Sequence, residues 1–311
     1  MPVTLLNYID GSPPVGYSLA FEPFLYNQEN FLALKNYPVQ SFYVVDHQKR
    51  SIEARIHFAI RKQKDDTLRA ISLPELPFGS LEYSDSLTED QAADFLSFVQ
   101  ESLARKYVQA IEIRDCIIAY RTGADVVYQS LQKLGYQTLD EPANYHIIVD
   151  GHPLVTKVTD GQQNKLNKAT KNNFIATIEP SEKISEIYEF IAMSYQTRQR
   201  KLSLPLSDLL SYAKTYPGRY LLFSVYHLRA RIAACIAVQV SSSTVYTFYY
   251  TALLTYSSYS PTVLLLSHIY RYCQSNNTSL LDLGIGSESV QNFKRRMGGT
   301  HSCKRSYLLE W

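Results

Sequence analysis

The stretch Leu280–Gly299, LLDLGIGSESVQNFKRRMGG, decides how the rest of the chain is read. An apolar run leads into Gly284-Ile285-Gly286, and a basic segment closed by Gly298-Gly299 follows. The order strand, glycine turn, helix invites a phosphate cradle, but the residues do not fit one. A dinucleotide fingerprint needs a third glycine where Ser289 stands, and an acidic residue about 20 positions further on. A P-loop needs Gly-Lys-Ser/Thr, and none is present. By itself a G-x-G after a strand is a tight turn, in which glycine reaches positive φ without a steric cost.

The segment after the turn says more. Val290, Phe293 and Met297 recur at i, i+3 and i+7, which predicts one apolar helical stripe. Lys294 falls beside that stripe, while Arg295 and Arg296 point away. Two readings of Lys294 stand. Its stem can pack while its head reaches water. Alternatively, its ammonium is aimed into a cleft to meet developing negative charge.

The chain has 311 residues, of which 45% are hydrophobic, enough for two cores. A net charge of +2 does not by itself single out nucleic acid. Cys116, Cys235, Cys273 and Cys303 are scattered, with no C-x-x-C and no paired histidine spacing, so free thiols and no metal site are expected. In HSCKRSY, nearby cations are expected to lower the Cys303 thiol pKa. MPVTLLNYIDG lacks the basic and apolar regions of a signal peptide, and no run of ~18 apolar residues exists. A cytoplasmic protein with no membrane span is the expectation.

Working outward, the pattern around Leu280–Gly299 occurs twice. VYQSLQKLGYQ and VQNFKRRMGGT each read as a helix stopped by glycine, at Gly135 and Gly298. A buried-looking strand precedes each (AIEIRD, LLDLG), and a further strand follows each (NYHIIVD, SYLLEW). A long helix and a strand hairpin come earlier in both halves. The order hairpin, helix, strand, helix, strand predicts an α/β (α+β) chain of two tandem units, each a mixed sheet flanked by helices. The loop-like VDGHPLVTKVTDG sets the boundary, giving units 1–152 and 153–311.

Charge is uneven between them. In the second unit Lys165, Lys168 and Lys171 recur every three residues, as a solvated face or an anion-facing stripe. Arg198, Arg200 and Lys201 form a second cluster. Lys294, Arg295, Arg296, Lys304 and Arg305 form a third, with no acid from Gln291 to Arg305. The second unit is expected to bind something anionic.

These motifs, in this order, resemble the GNAT acyltransferase fold, and the pair of units resembles the Fem aminoacyltransferases (FemA, FemB, FemX) and their relatives. The resemblance covers most of the chain. It rests on LPELPFGSLEY, NKLNKATKNN, SYQTRQRKLSLP and YSPTVLLLSHIYRYCQSNNTSLLDLGIG followed by VQNFKRRMGG. It implies an acyl or aminoacyl transferase joining an activated carbonyl to an amine on an anionic, cell-wall-precursor-like acceptor of peptidoglycan synthesis. Phe293-Lys294 then lies where donor and acceptor meet, with Lys294 stabilising the carbonyl oxygen. Arg198, Lys165 and Lys168 are implied for acceptor phosphates, with Arg200 and Lys201 as rivals to Arg198. Tyr249 or Tyr250 is implied for an acceptor hydrogen bond, with sheet packing as the alternative for at least one. Asp282 ties down the glycine turn or orients a partner, and His268 reads as a core histidine.

The chain departs from the family in two places. YSSYSPTVLL, where GNAT enzymes using acetyl-CoA carry a glycine-rich loop, has no glycine, and its proline removes a donor. The long helical hairpin of some Fem proteins is absent, so a tRNA would dock on the basic face itself. The donor is therefore open between aminoacyl-tRNA and acetyl-CoA or another acyl-CoA. The competing readings are a CoA-dependent N-acyltransferase on a sugar, lipid or metabolite amine, and a non-catalytic binding module on the same fold.

Overall fold

The structure, a computed structural model, describes residues 6–121 and 125–311. The first five residues, on which part of the leader-peptide reading rests, lie outside the described residues.

The chain runs through β1 (Leu6–Asp10), β2 (Ser18–Leu19), α1 (Glu29–Leu32), β3 (Gln40–Asp46), β4 (Ser51–Lys62), β5 (Leu68–Ile71) and β6 (Glu82–Tyr83). Next come α2 (Glu89–Ala104), β7 (Ala110–Arg114), α3 (Val126–Lys133) and β8 (Gln137–Asp140). The second half holds β9 (Ala143–Ile148), α4 (Asp160–Lys171), β10 (Phe174–Glu179), α5 (Ile184–Gln196), α6 (Leu206–Thr215), β11 (Tyr220–His227), β12 (Ala230–Ser241) and β13 (Thr244–Ala252). It closes with α7 (Pro261–Ser275), β14 (Leu280–Ile285), α8 (Glu288–Arg296), β15 (Thr300–Cys303) and β16 (Ser306–Glu310).

Two mixed sheets result. One has the order β1-β3-β4-β5-β7-β16-β8, with β2 and β6 also pairing β4. The other has the order β10-β11-β12-β13-β14-β9-β15. The repeat is visible in the pairing. In the first unit β4 and β5 form a hairpin and β5 runs parallel to β7. In the second, β12 and β13 form a hairpin and β13 runs parallel to β14.

Local chemistry accounts for the helices. Thr88 and Gln91 form a reciprocal capping box at the start of α2, which buries Phe95, Leu96, Val99 and Leu103. Pro261 occupies the first turn of α7, where a missing N–H costs nothing, and Val263, Leu265, Leu266 and Ile269 turn inward. Phe42, Phe58, Phe95, Ile111 and Tyr307 center the first core. Phe223, Leu265, Leu266, Tyr270, Leu281 and Met297 center the second.

The unit boundary differs from the expected 152/153. One unit is Met1–Pro142 with Cys303–Trp311, and the other is Ala143–Ser302. The last strand of each repeat has changed places. NYHIIVD supplies β9, antiparallel to β14 of the second sheet, and SYLLEW supplies β16, inserted between β7 and β8 of the first. Period and hydrophobicity define a strand but not which of two sheets it joins. Cys303 is a second correction. Burial, then the Glu141 carboxylate, raise its thiol pKa, and Arg305 offsets only part of this. Cys116, Cys235 and Cys273 are buried free thiols.

Because Tyr307 is fully buried, Tyr307→Ala should destabilise the first unit by about 3–5 kcal/mol. Trp311, the single tryptophan, belongs to that unit, and its amide donates to the Gln109 carbonyl oxygen at 3.2 Å. Its fluorescence during urea unfolding is the readout. An unmoved midpoint would mean that β16 is not part of that core.

Candidate functional site

The site arises where two strands separate. β13 and β14 pair only over Thr244–Tyr246 and Leu280–Asp282. Further along, β13 carries an extra residue, Phe248, opposite the Ile236–Ala237 step of β12. Such a bulge bends its strand and leaves a residue out of the ladder. β14 shifts register against β9 between Asp282 and Gly284. The wedge between them is a cavity of ≈ 400 Å³ within the second unit. Tyr246, Phe248 and Tyr250 line one side, and Leu283 to Gly286 with Val290 and Phe293 line the other. Lys165, Arg198 and Arg200 supply charge, and Ser260 to Thr262 open α7 at its rim. Among the described residues, no aspartate, glutamate, histidine or cysteine lines it.

The glycine turn is built by close approach rather than by a phosphate. Gly284 has φ +72°, and a β-carbon there would meet the Tyr246 ring at 3.0 Å. A β-carbon on Gly286 would lie 2.7 Å from Val290 Cγ1. Asp282 Oδ1 accepts from the Gly284 N–H at 2.7 Å and from Asn144 Nδ2 at 2.7 Å, so Asp282 ties the turn down. Gly298, at φ +82°, stops α8 where a β-carbon would be 2.8 Å from the Lys157 carbonyl oxygen.

Lys294 lies beneath this turn. It is 1% exposed, so its head does not reach water and the snorkelling alternative falls away. Nζ donates to the carbonyl oxygens of Gly284 at 2.7 Å and Ile285 at 2.9 Å. Burial lowers its pKa to about 8, with Asp282 acting in the opposite direction. In a trans peptide the N–H points opposite to the C=O. The two peptide units whose carbonyls bind the ammonium therefore turn the N–H groups of Ile285 and Gly286 away from it. The Gly286 N–H has no acceptor among the described residues, and Gly286 lines the cavity.

The structure sorts the remaining expected residues. Phe293, Lys165, Arg198 and Tyr250 reach the cavity, and Lys168, Tyr249 and Asp282 do not line it. A three-residue step along a helix falls ~60° short of a full turn, so the lysines of α4 fan out. Lys165 faces the cavity, while Lys168 lies over the Tyr259 ring at 4.9 Å. The Tyr249 hydroxyl bonds Ser203 Oγ and the Leu204 N–H, both at 2.8 Å, and so anchors the loop after α5. The Tyr250 hydroxyl has no hydrogen-bond partner among the described residues. His268 stacks edge-on against Phe223, away from the cavity lining.

Arg198 is a strut. Its guanidinium donates to the Ser194 carbonyl oxygen at 2.8 Å, the Ala252 carbonyl oxygen at 2.6 Å and the Thr251 hydroxyl at 3.2 Å, joining α5 to β13. Burial lowers its pKa, and the neighbouring Arg200 adds to the effect. Gln199 takes a left-handed φ of 54°, which ends α5 and brings Arg200 back to the cavity. Neither the Arg200 nor the Lys165 side chain has a hydrogen-bond or ion-pair partner among the described residues. Sequence reasoning ranked Arg198 above Arg200 and overlooked Tyr246 and the Gly286 amide. The one available signal for the amide was the G-x-G itself.

Comparison with known proteins bears on the fold. Residues 162–295 match the model of the family described as acetyltransferase (GNAT) domain. No curated protein matches the chain by sequence. Among solved structures the chain is similar to FemX, with a TM-score of 0.70 at 12% identity, covering 94% of each chain. It is similar to a tandem GNAT protein from the clavulanic acid biosynthesis pathway, with a TM-score of 0.52 at 11% identity over 98% of each chain. It is also similar to L-PGS from Bacillus licheniformis, with a TM-score of 0.52 at 10% identity, covering 82% of this chain and 80% of that one. The fold is thus a Fem-like tandem GNAT arrangement of two mixed sheets flanked by helices. Among the described residues no helix is long and apolar enough to cross a membrane.

The strut assignment separates two arginines. Arg198→Lys cannot reproduce the guanidinium fork that spans Ser194, Thr251 and Ala252, and should cost about 2–3 kcal/mol of stability. Arg200→Gln should leave the melting temperature nearly unchanged. Thermal unfolding of both variants is the check, and equal melting temperatures would refute the assignment.

Proposed function

We propose that the protein is a Fem-like acyl or aminoacyl transferase whose reaction occurs in the second unit, at the wedge between β13 and β14. The observation that carries the reading is the Lys294 ammonium held on the Gly284 and Ile285 carbonyls behind an unpartnered Gly286 amide. Acyl transfer to an amine builds negative charge on the carbonyl oxygen. A preorganised donor in a dry cleft stabilises that charge by a few kcal/mol. In this reading the Gly286 N–H is the donor. Lys294 acts through it, by polarising the peptide unit whose carbonyl it holds. Phe293 and Val290 shape the apolar wall beside the reacting carbonyl.

Arg200 and Lys165 meet the anionic part of the acceptor, which the absence of any acid from the cavity lining favours. A phosphorylated cell-wall precursor carrying a free amine has that chemistry, and aminoacyl-tRNA would be its donor. The cytoplasm is where such a donor is found. The cavity lining offers no carboxylate or imidazole as a base, so positioning of an already neutral amine supplies much of the rate. A second reading, CoA-dependent N-acylation, is favoured by the start of α7 at the cavity rim, because free amides at a helix N-terminus bind phosphate. Calorimetric titration with CoA and acetyl-CoA separates the two. Micromolar binding selects the CoA reading, and no heat at millimolar CoA leaves aminoacyl-tRNA.

Lys294→Met should lower kcat about 10- to 100-fold with KM changed less than about threefold. A rise in KM at constant kcat would exclude the role. The ammonium is the active form, so kcat should fall as pH rises through about 8. Lys294→Met should lack that limb.

A further inference from the structure

One end of the second unit combines exposed leucines with cations that meet no carboxylate among the described residues. The β11–β12 hairpin turns at Leu228 and Arg229. Leu228 is 82% exposed and has φ 56°, a left-handed position that hairpin turns give to glycine, asparagine or aspartate. A strained and solvated leucine is unfavourable for the free protein, and such positions mark function more often than chance.

Two more exposed apolar residues lie close by. Leu254, 53% exposed, follows Leu253, whose amide donates to the Ile232 carbonyl oxygen at 2.9 Å, just past the hairpin tip. Ile175, on edge strand β10, pairs with Tyr226 two residues before Leu228. His227 Nδ1 and the Tyr256 hydroxyl, 3.2 Å apart, connect the hairpin to the Leu254–Tyr259 turn.

Cations flank these residues. Lys171 ends α4 three positions before Phe174, which pairs with His227. Lys168 covers Tyr259. Neither the Lys171 nor the Arg229 side chain meets a carboxylate among the described residues. No aspartate or glutamate occurs in residues 161–178 or 209–281, and the neighbouring Glu179 and Glu186 are engaged by Arg231.

We propose that this rim docks the protein on an anionic lipid bilayer, with Leu228, Leu254 and Ile175 entering the headgroup layer and Lys168, Lys171 and Arg229 meeting lipid phosphates. A bilayer surface accepts apolar tips and cations together and needs no matching groove. A second copy of the same face would set cation against cation. Lys165, Ser257 and Ser260 line the cavity from α4 and from the Leu254–Tyr259 turn, so the docked rim adjoins the cavity mouth.

Vesicle flotation tests the proposal. The full chain should float at low salt with vesicles of phosphatidylcholine mixed with phosphatidylglycerol, and should be released by high salt. It should stay behind with phosphatidylcholine alone. Leu228→Asn suits the left-handed backbone and keeps the fold, and should weaken partitioning about five- to tenfold. Lys171→Gln and Arg229→Gln should each weaken it about fivefold. No flotation with anionic vesicles, or equal flotation of Leu228→Asn and the wild type, would overturn it. So would a dimer seen by light scattering that Leu228→Asn breaks, which would make the face a protein contact.

Discussion

The second unit is organised around the point where β13 and β14 stop pairing. Two parallel strands that share three residues and then part leave a wedge, and the chain has to prevent it from collapsing. The Phe248 bulge bends one wall outward. On the other wall, Asp282 pins the Gly284 amide and Lys294 pins the next two carbonyls. The struts are polar because the groups needing support are backbone groups at a strand end, which apolar packing would leave unsatisfied. Arg198 does the same for the far side, holding the Ser194 and Ala252 carbonyls together.

This support is costly. Moving the Lys294 pKa from 10.5 to about 8 corresponds to a burial penalty on the order of 3 kcal/mol for the ammonium. The folded pKa lies below the unfolded one, so between pH ~8 and ~10.5 the unfolded chain holds the proton that the folded chain has released. Stability from this group therefore rises with pH across that window, and the full penalty is present below it. At neutral pH the turn keeps a charge that folding alone would discard. That arrangement suits a group retained for its field, since a leucine or methionine would fill the volume without the penalty.

Much of this was legible from the sequence, for identifiable reasons. The doubled order of strands and helices is carried by hydrophobic period and glycine stops, which act locally. The exchange of NYHIIVD and SYLLEW is invisible to period, because period marks a strand and not the sheet that it enters. The burial of Lys294 was undecided on a helical wheel, because the partners that permit it are backbone carbonyls with no sequence signature. Arg198 and Arg200 differ only through the left-handed turn at Gln199, a residue type that does not announce such a turn. Cys303 was misjudged because the cations near it in sequence are outweighed by burial and Glu141.

The distribution of charge follows from the same construction. The described salt bridges of the second unit involve Lys157, Lys183, Arg231 and His152, away from the cavity lining. The cations around the cavity are left either on carbonyls, as Arg198 and Lys294 are, or without a side-chain partner among the described residues, as Lys165 and Arg200 are. Asp282 is already engaged by the Gly284 amide and Asn144, and a further carboxylate placed beside Lys165 and Arg200 would compete with an anionic ligand for that pair. Keeping residues 209–281 free of acids avoids this competition, and it does so along the β11–β13 meander and α7, which build the core as well as the site. The constraint thus acts on a long stretch of sequence, although only a few of its side chains touch the cavity.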